Sequence, residues 1–288
     1  MNLKSINYWS LPGGLEGSLS IESFLRSAKR HGFEAVELCI GESGELNLDS
    51  PSNRCAEIRG IAGELGLEIA SVASGLYWNY SLASAEKDKR ERAVRALSQM
   101  VRITSDLGAY TLLTIPGAVD IFFAPEVASV DYSFVWEHSR IGLEKVLSVA
   151  TEYNVVLGIE NVWNKFLLSP MEMATFIDSF HSPAIGAYVD VANVLPYGYP
   201  EQWLKILGHR VVGVHFKDFR KAVGTIEGFV DLLEGDVNWP AVMDAISSIG
   251  YHGPVVAEMI PLYKHYPEVR IANTSRAMDA ILHRGSKA

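Results

Sequence analysis

The chain has 288 residues, 48% of them hydrophobic, with a formal net charge of −9 and acidic and basic residues mixed along its length. That size and apolar content suffice for one large domain or two small ones, and the acidic balance argues against nucleic acid or an anionic membrane as the main partner. No secretory signal pattern opens the chain, no run of about 18 apolar residues reads as a membrane span, and Cys39 and Cys55 make neither a disulfide framework nor a CxxC motif, so a cytoplasmic, soluble protein is expected.

The first strand candidate is "SINYWS" (5–10). The "LPGGLEG" that follows lacks the GxGxxG spacing of a dinucleotide loop and enters no helix directly. A helical pattern covers 20–31 and closes at Gly32, and "AVELCI" (35–40) is the second strand. Helix 52–65 closes at Gly66, strand "EIASVAS" (68–74) follows, and helix 86–107 closes at Gly108. Next come strand "TLLTIPG" (111–117), helix 131–153 and strand "VVLGIE" (155–160). Helix 170–179 has Ser169 as N-cap, Pro170 at its first position and Glu172 as the capping-box partner. Strand "IGAYVDV" (185–191), helix 200–208 and strand "VVGVHF" (211–216) come next. Helix 239–249 is opened by Asn238, Trp239 and Pro240 and closed by Gly250. Strand "PVVAEMI" (254–260) and helix 268–283 complete the series.

Strands alternating with helices imply crossover units and a parallel sheet. Eight such units match the size and count of a (β/α)₈ TIM barrel, an α/β fold. No linker or composition shift divides the chain, so the expectation is a single barrel domain over 1–288. An open doubly wound sheet is the alternative that the first loop disfavours.

In such a barrel the working residues sit at the C-terminal ends of strands. The last four strands end in Glu160, Asp190, His215 and Glu258, each the first strongly polar residue after an apolar run. Side chains alternate along a strand. Gly158, Tyr188, Gly213 and Val256, two residues earlier, should therefore share the inward face, while Ile159, Val189, Val214 and Ala257 face the helices. The parity agrees in all four strands, so the four polar groups should converge in the barrel mouth. Three clustered carboxylates cannot all stay ionised without a positive centre. A single carboxylate ending a strand is ordinarily a cap or ion-pair partner; four polar ends in register point to one divalent metal ion. Carboxylate oxygens with one imidazole suit manganese, with magnesium or cobalt as alternatives.

"GIEN", "VDVAN", "VHFKD" and "AEM", in that order on the last four strands, resemble the xylose isomerase-like barrel superfamily. They are most similar to its ketose 3-epimerase branch, with the D-tagatose 3-epimerases and L-ribulose-5-phosphate 3-epimerases. The resemblance implies an isomerase of carbohydrate metabolism. It also implies metal ligation by Glu160, Asp190, His215 and Glu258, with the two glutamates doubling as proton carriers. Free-sugar members place His three residues after the sixth-strand Asp; here Asn193 stands there, as in the phosphate-using enzymes. Free-sugar members also carry Arg six residues after the seventh-strand His, where this chain has Lys221 beside Arg220.

Epimerisation at C3 removes a proton next to a carbonyl and returns one to the opposite face, through an enediolate. Glu160 and Glu258, on strands separated by two others, should approach a sugar from different sides. Asn193, Lys217, Arg220 and Trp163 are candidate substrate contacts for a sugar or sugar phosphate. Lys217 and Asp218 are alternatively local partners of His215, and Asn161 is either a substrate contact or a loop closure. Glu37, ending the second strand, is either a site residue or a structural ion-pair partner. Tyr8, Trp9, Trp78 and Trp163 either wall a sugar pocket or pack in the core. The aromatic segment "DIFFAPEV" (120–127) is a candidate lid, or an interface between copies in a homo-oligomer.

Aldose–ketose isomerisation or dehydration of a polyol ketone would use the same ligand set. A metal-dependent abasic-site nuclease would need further histidines and a basic face. A non-catalytic sugar-binding barrel would leave the ligand set incidental.

Overall fold

Residues 2–124 and 126–283 are described by a computed structural model. Its strands are β1 (Lys4–Asn7), β2 (Ala35–Ile40), β3 (Glu68–Ser74), β4 (Thr111–Thr114), β5 (Val156–Glu160), β6 (Ile185–Asp190), β7 (Val211–Phe216), β8 (Asp218–Phe219), β9 (Phe229–Val230) and β10 (Val255–Ala257). Its helices are α1 (Ile21–Arg30), α2 (Ser52–Glu64), α3 (Lys87–Asp106), α4 (Tyr132–Glu152), α5 (Pro170–Asp178), α6 (Pro200–Leu207), α7 (Trp239–Ser248) and α8 (Glu268–Ile281). Strands β1 to β7 and β10 close into a parallel barrel in chain order, β10 returning to β1. This is the (β/α)₈ TIM barrel that the alternation predicts.

Local chemistry explains the boundaries. Ser20, Asp131, Ser169 and Asn238 each accept a backbone N–H at a helix start, satisfying donors the helix cannot. Gly32, Gly66, Gly108 and Gly250 all have φ between 63° and 80° just past helix ends, where a side chain would be strained.

Three strands end three residues before their sequence patterns do. β1 stops at Asn7 because the Asn7 side chain accepts the Trp9 N–H at 2.6 Å, turning Tyr8–Ser10 into a 3₁₀ turn. β4 stops at Thr114, two residues before Pro116, which has no N–H to extend a ladder. β10 covers only Val255–Ala257, although Glu258 N still donates to Phe216 O at 3.2 Å. Glu258 therefore sits on the lip of the barrel.

Inside the barrel, Tyr188 occupies the space that two glycines leave open. A Cβ on Gly158 would lie 3.0 Å from the Tyr188 ring, and one on Gly213 would collide with it. The inward row expected from alternation is thus a ring flanked by glycines. Among the described residues, no helix is long and apolar enough to cross a membrane. Both cysteines are free and buried.

Candidate metal centre and active site

Strand pairing sets the site. Asp190 on β6 pairs with His215 on β7, and His215 pairs with Val256 on β10, two residues before Glu258. Glu160 ends β5, paired with Tyr188 of β6. Glu160, Asp190, His215 and Glu258 are all buried. Among the described residues, Glu160, Asp190 and His215 form the one group of three or more metal-donor side chains whose ligand atoms lie within 4.8 Å of one another. His215 Nδ1 is 3.3 Å from Glu160 Oε1 and 3.9 Å from Glu258 Oε2, so the two glutamates flank the imidazole.

Two atoms test whether this set fits a cation. Asp190 Oδ2 and His215 Nδ1 are buried without a hydrogen-bond partner, and such groups are rare unless an ion or water completes them. The opposite edges of both side chains are held. Asp190 Oδ1 accepts the Ala192 and Asn193 N–H groups, each at 2.9 Å, while the Asp190 backbone N–H donates to Asn161 Oδ1 at 2.8 Å. His215 Nε2 is 2.8 Å from Glu37 Oε1. Two donor atoms that make no hydrogen bond, flanked by two more carboxylates, suit a divalent cation that accepts oxygen and nitrogen ligands.

Lys217 completes the electrostatics. Its ammonium contacts Glu258 Oε2, lies 3.1 Å from Asp190 Oδ2 and sits 5.3 Å from the centre of the Phe229 ring. Burial alone would lower the Lys217 pKa, but Asp190, Glu258 and Glu160 outweigh it and hold the group charged. Burial pushes the Glu160 carboxyl up to about 7, against the pull of His215 and Lys217. Burial would also lower the His215 pKa, but the carboxylates of Glu37 and Glu258 drive it upward.

The remaining sequence-predicted residues fall into two groups. Asn161, Asn193 and Trp163 border the cluster: Asn161 Nδ2 donates to Asp190 O, Asn193 Nδ2 to Asn161 O and Trp163 Nε1 to Asn193 O, at 2.9, 3.0 and 2.9 Å. Trp163 also packs against Phe219, Phe229 and Phe122. Phe122 and Phe123 continue the chain of edge-to-face rings to Trp78, so the 120–127 segment, Pro125 lying outside the described residues, packs against loops from β3 and β5. Arg220 lies further out, its guanidinium donating to Glu234 O at 3.0 Å and Oε2 at 3.2 Å.

Asp218 is a correction to the idea of a local partner for His215. Its carboxylate accepts the Phe219, Leu233 and Val237 N–H groups and Trp239 Nε1, anchoring the loop that follows β7. Glu37, left open between two roles, contacts His215 directly; the alternation "AVELCI" carries only its inward parity.

The family description "xylose isomerase-like TIM barrel" matches residues 25–278. A protein of Escherichia coli (strain K12), provisionally named L-ribulose-5-phosphate 3-epimerase SgbU, is 25% identical over 273 residues, 92% of this chain and 93% of that one. An L-ribulose 3-epimerase of Mesorhizobium japonicum is 25% identical over 243 residues, 80% of this chain and 72% of the other. In fold, the chain is similar to D-psicose 3-epimerase of Clostridium cellulolyticum H10, crystallised with D-tagatose. That likeness has a TM-score of 0.78 at 15% identity and covers 98% and 97% of the two chains.

Proposed function

We propose, from the premise that this chain belongs to the xylose isomerase-like TIM-barrel family, that it is a metal-dependent 3-epimerase of a ketose or ketose phosphate. The observation that carries this reading is the pair of buried donor atoms that make no hydrogen bond, Asp190 Oδ2 and His215 Nδ1, between two glutamates that could carry protons. Glu160, Asp190, His215 and Glu258 would hold one divalent cation, with manganese the expected ion. When bound, such a cation supplies charge stabilisation for the substrate's carbonyl and hydroxyl oxygens.

The protein's own groups carry the proton. One glutamate takes the C3 proton and becomes neutral, and the C–H electron pair moves into the enediolate. The other glutamate, protonated, gives its proton to the opposite face of C3 as the electron pair returns. Over one turnover the two carboxyls exchange protonation states. Burial raises the Glu160 carboxyl in the metal-free cluster while a bound cation would lower it, and opposed influences of this kind let one carboxyl serve as either acid or base. Flanking His215 Nδ1 as they do, Glu160 and Glu258 can reach one sugar from two sides. Lys217 would hold developing negative charge, Trp163 would wall the sugar, and Asn193 and Arg220 would bind its hydroxyls or phosphate.

The acidic net charge and the single metal-donor cluster among the described residues favour this reading over a nuclease. A small sugar or sugar phosphate is the proposed partner, and the cytoplasm the proposed location. The test is product analysis on a panel of ketoses and their 5-phosphates. A 3-epimer is expected. An aldose product would move the reading to isomerase and an eliminated water to dehydratase. Absence of both turnover and metal would leave a binding barrel.

A further inference from the structure

The barrel holds one more buried carboxylate, on the strand opposite the metal-donor cluster. Glu37 of β2 has no exposed surface. Its Oε1 accepts Asn7 Nδ2 at 2.6 Å and faces His215 Nε2 at 2.8 Å. Its Oε2 accepts Ser71 Oγ at 2.6 Å and Tyr188 Oη at 2.7 Å. Asn7, Glu37 and Ser71 are register partners on β1, β2 and β3, so three neighbouring strands present one polar row to the barrel interior. Tyr188 and His215 reach that row from β6 and β7.

A barrel that needed only packing would fill this position with a branched apolar side chain, because an interior carboxylate costs desolvation that its partners merely offset. Four side chains aim donors at the two oxygens of Glu37, Asn7 Nδ2 and His215 Nε2 at Oε1, Ser71 Oγ and Tyr188 Oη at Oε2, the surroundings of a carboxylate that accepts and does not donate. An ionised carboxylate only accepts. A histidine that binds a metal is neutral, and a neutral imidazole facing this carboxylate carries its hydrogen on Nε2, which leaves the Nδ1 lone pair for the metal. Nδ1 is the atom found buried without a hydrogen-bond partner. Without Glu37, Glu160 Oε1 at 3.3 Å would compete to draw the hydrogen onto Nδ1 and close the lone pair.

We infer that Glu37 is a positioning residue that fixes the tautomer and ring orientation of His215, and so presents Nδ1 as a metal ligand. The inference rests on the reading of His215 as a ligand and deepens it. Partners behind a metal-bound histidine typically change affinity by about 10–100-fold when removed. Ser71 meets Glu37 at Oε2, the oxygen turned away from His215, and also lies 3.3 Å from Tyr188 Oη, so its removal separates this role from that of a plain polar plug.

The experiment is Mn²⁺ titration calorimetry on the full chain, wild type against Glu37→Gln and Ser71→Ala, with melting curves of each metal-free protein. Glu37→Gln should weaken Mn²⁺ binding by about 10–100-fold, while Ser71→Ala should lower the melting temperature and leave affinity within about twofold. Equal affinity in wild type and Glu37→Gln overturns the inference, as does an equal loss in both variants. A wild type that binds no Mn²⁺ overturns the metal reading itself, and is seen before any variant is compared. If Glu37→Gln does not fold, ¹⁵N-histidine NMR of the zinc-loaded wild type decides. One imidazole bound through Nδ1 with hydrogen on Nε2 supports the assignment, and binding through Nε2 overturns it.

Discussion

Asp190→Asn removes one charge from the proposed metal centre while leaving its local scaffold in place. Asp190 Oδ1 accepts two backbone N–H groups at 2.9 Å, and an asparagine Oδ1 can accept the same two. The amide nitrogen then replaces Oδ2, the buried atom without a hydrogen-bond partner, and an amide NH₂ has no lone pair to offer a cation. Changes behind a ligand already cost about 10–100-fold in affinity, so losing the ligand itself should cost at least about 100-fold, roughly 2.7 kcal/mol. The fold should survive: the substitution removes the Lys217 ion pair at 3.1 Å, but Lys217 keeps its contact with Glu258 and repulsion among Glu160, Asp190 and Glu258 falls. Calorimetric Mn²⁺ titration with a melting curve on the same sample separates the two effects. Wild-type affinity in a folded Asp190→Asn protein would refute the assignment of Oδ2 to the cation.

Other perturbations follow from the same geometry. Adding a chelator to metal-loaded protein should lower its melting temperature: a ligand at about 100 times its Kd contributes about 2.7 kcal/mol, or roughly 4–5 °C for a chain of this size. An unchanged melting temperature would mean that Lys217 alone neutralises the carboxylates. Gly213→Ala should cost about 1–3 kcal/mol by overpacking, since its Cβ would collide with Tyr188; a melting curve equal to wild type would show that Tyr188 can move aside. Glu160→Gln and Glu258→Gln should each abolish epimerisation with metal occupancy confirmed by elemental analysis. Solvent exchange without inversion in one of them would identify the remaining base, and wild-type epimerisation in either would exclude that glutamate as a proton carrier.

What could be read from the sequence was local or periodic. Alternation in "VVLGIE" and "VVGVHF" put Glu160 and His215 on the inward face, and Ser169, Pro170 and Glu172 marked the start of α5. The closing glycines announced helix ends because left-handed φ values fall to glycine. The contact between Glu37 and His215 was not legible, because it joins strands 178 positions apart across the barrel and neither strand's pattern names its partner. The β8–β9 ribbon was missed because two-residue strands have no period to detect. Asp218 read as a neighbour of His215, yet its side chain serves N–H groups up to 19 positions later and the Trp239 indole. Loop closure of that kind depends on where the chain returns.

Turnover in D₂O, followed by NMR of the recovered sugars, tests the central claim most directly. Proton transfer through Glu160 and Glu258 predicts a 3-epimer carrying deuterium at C3, with the label entering as inversion proceeds. Conversion that leaves the carbon-bound hydrogens unexchanged and yields an aldose would contradict it, pointing instead to a hydride shift between neighbouring carbons.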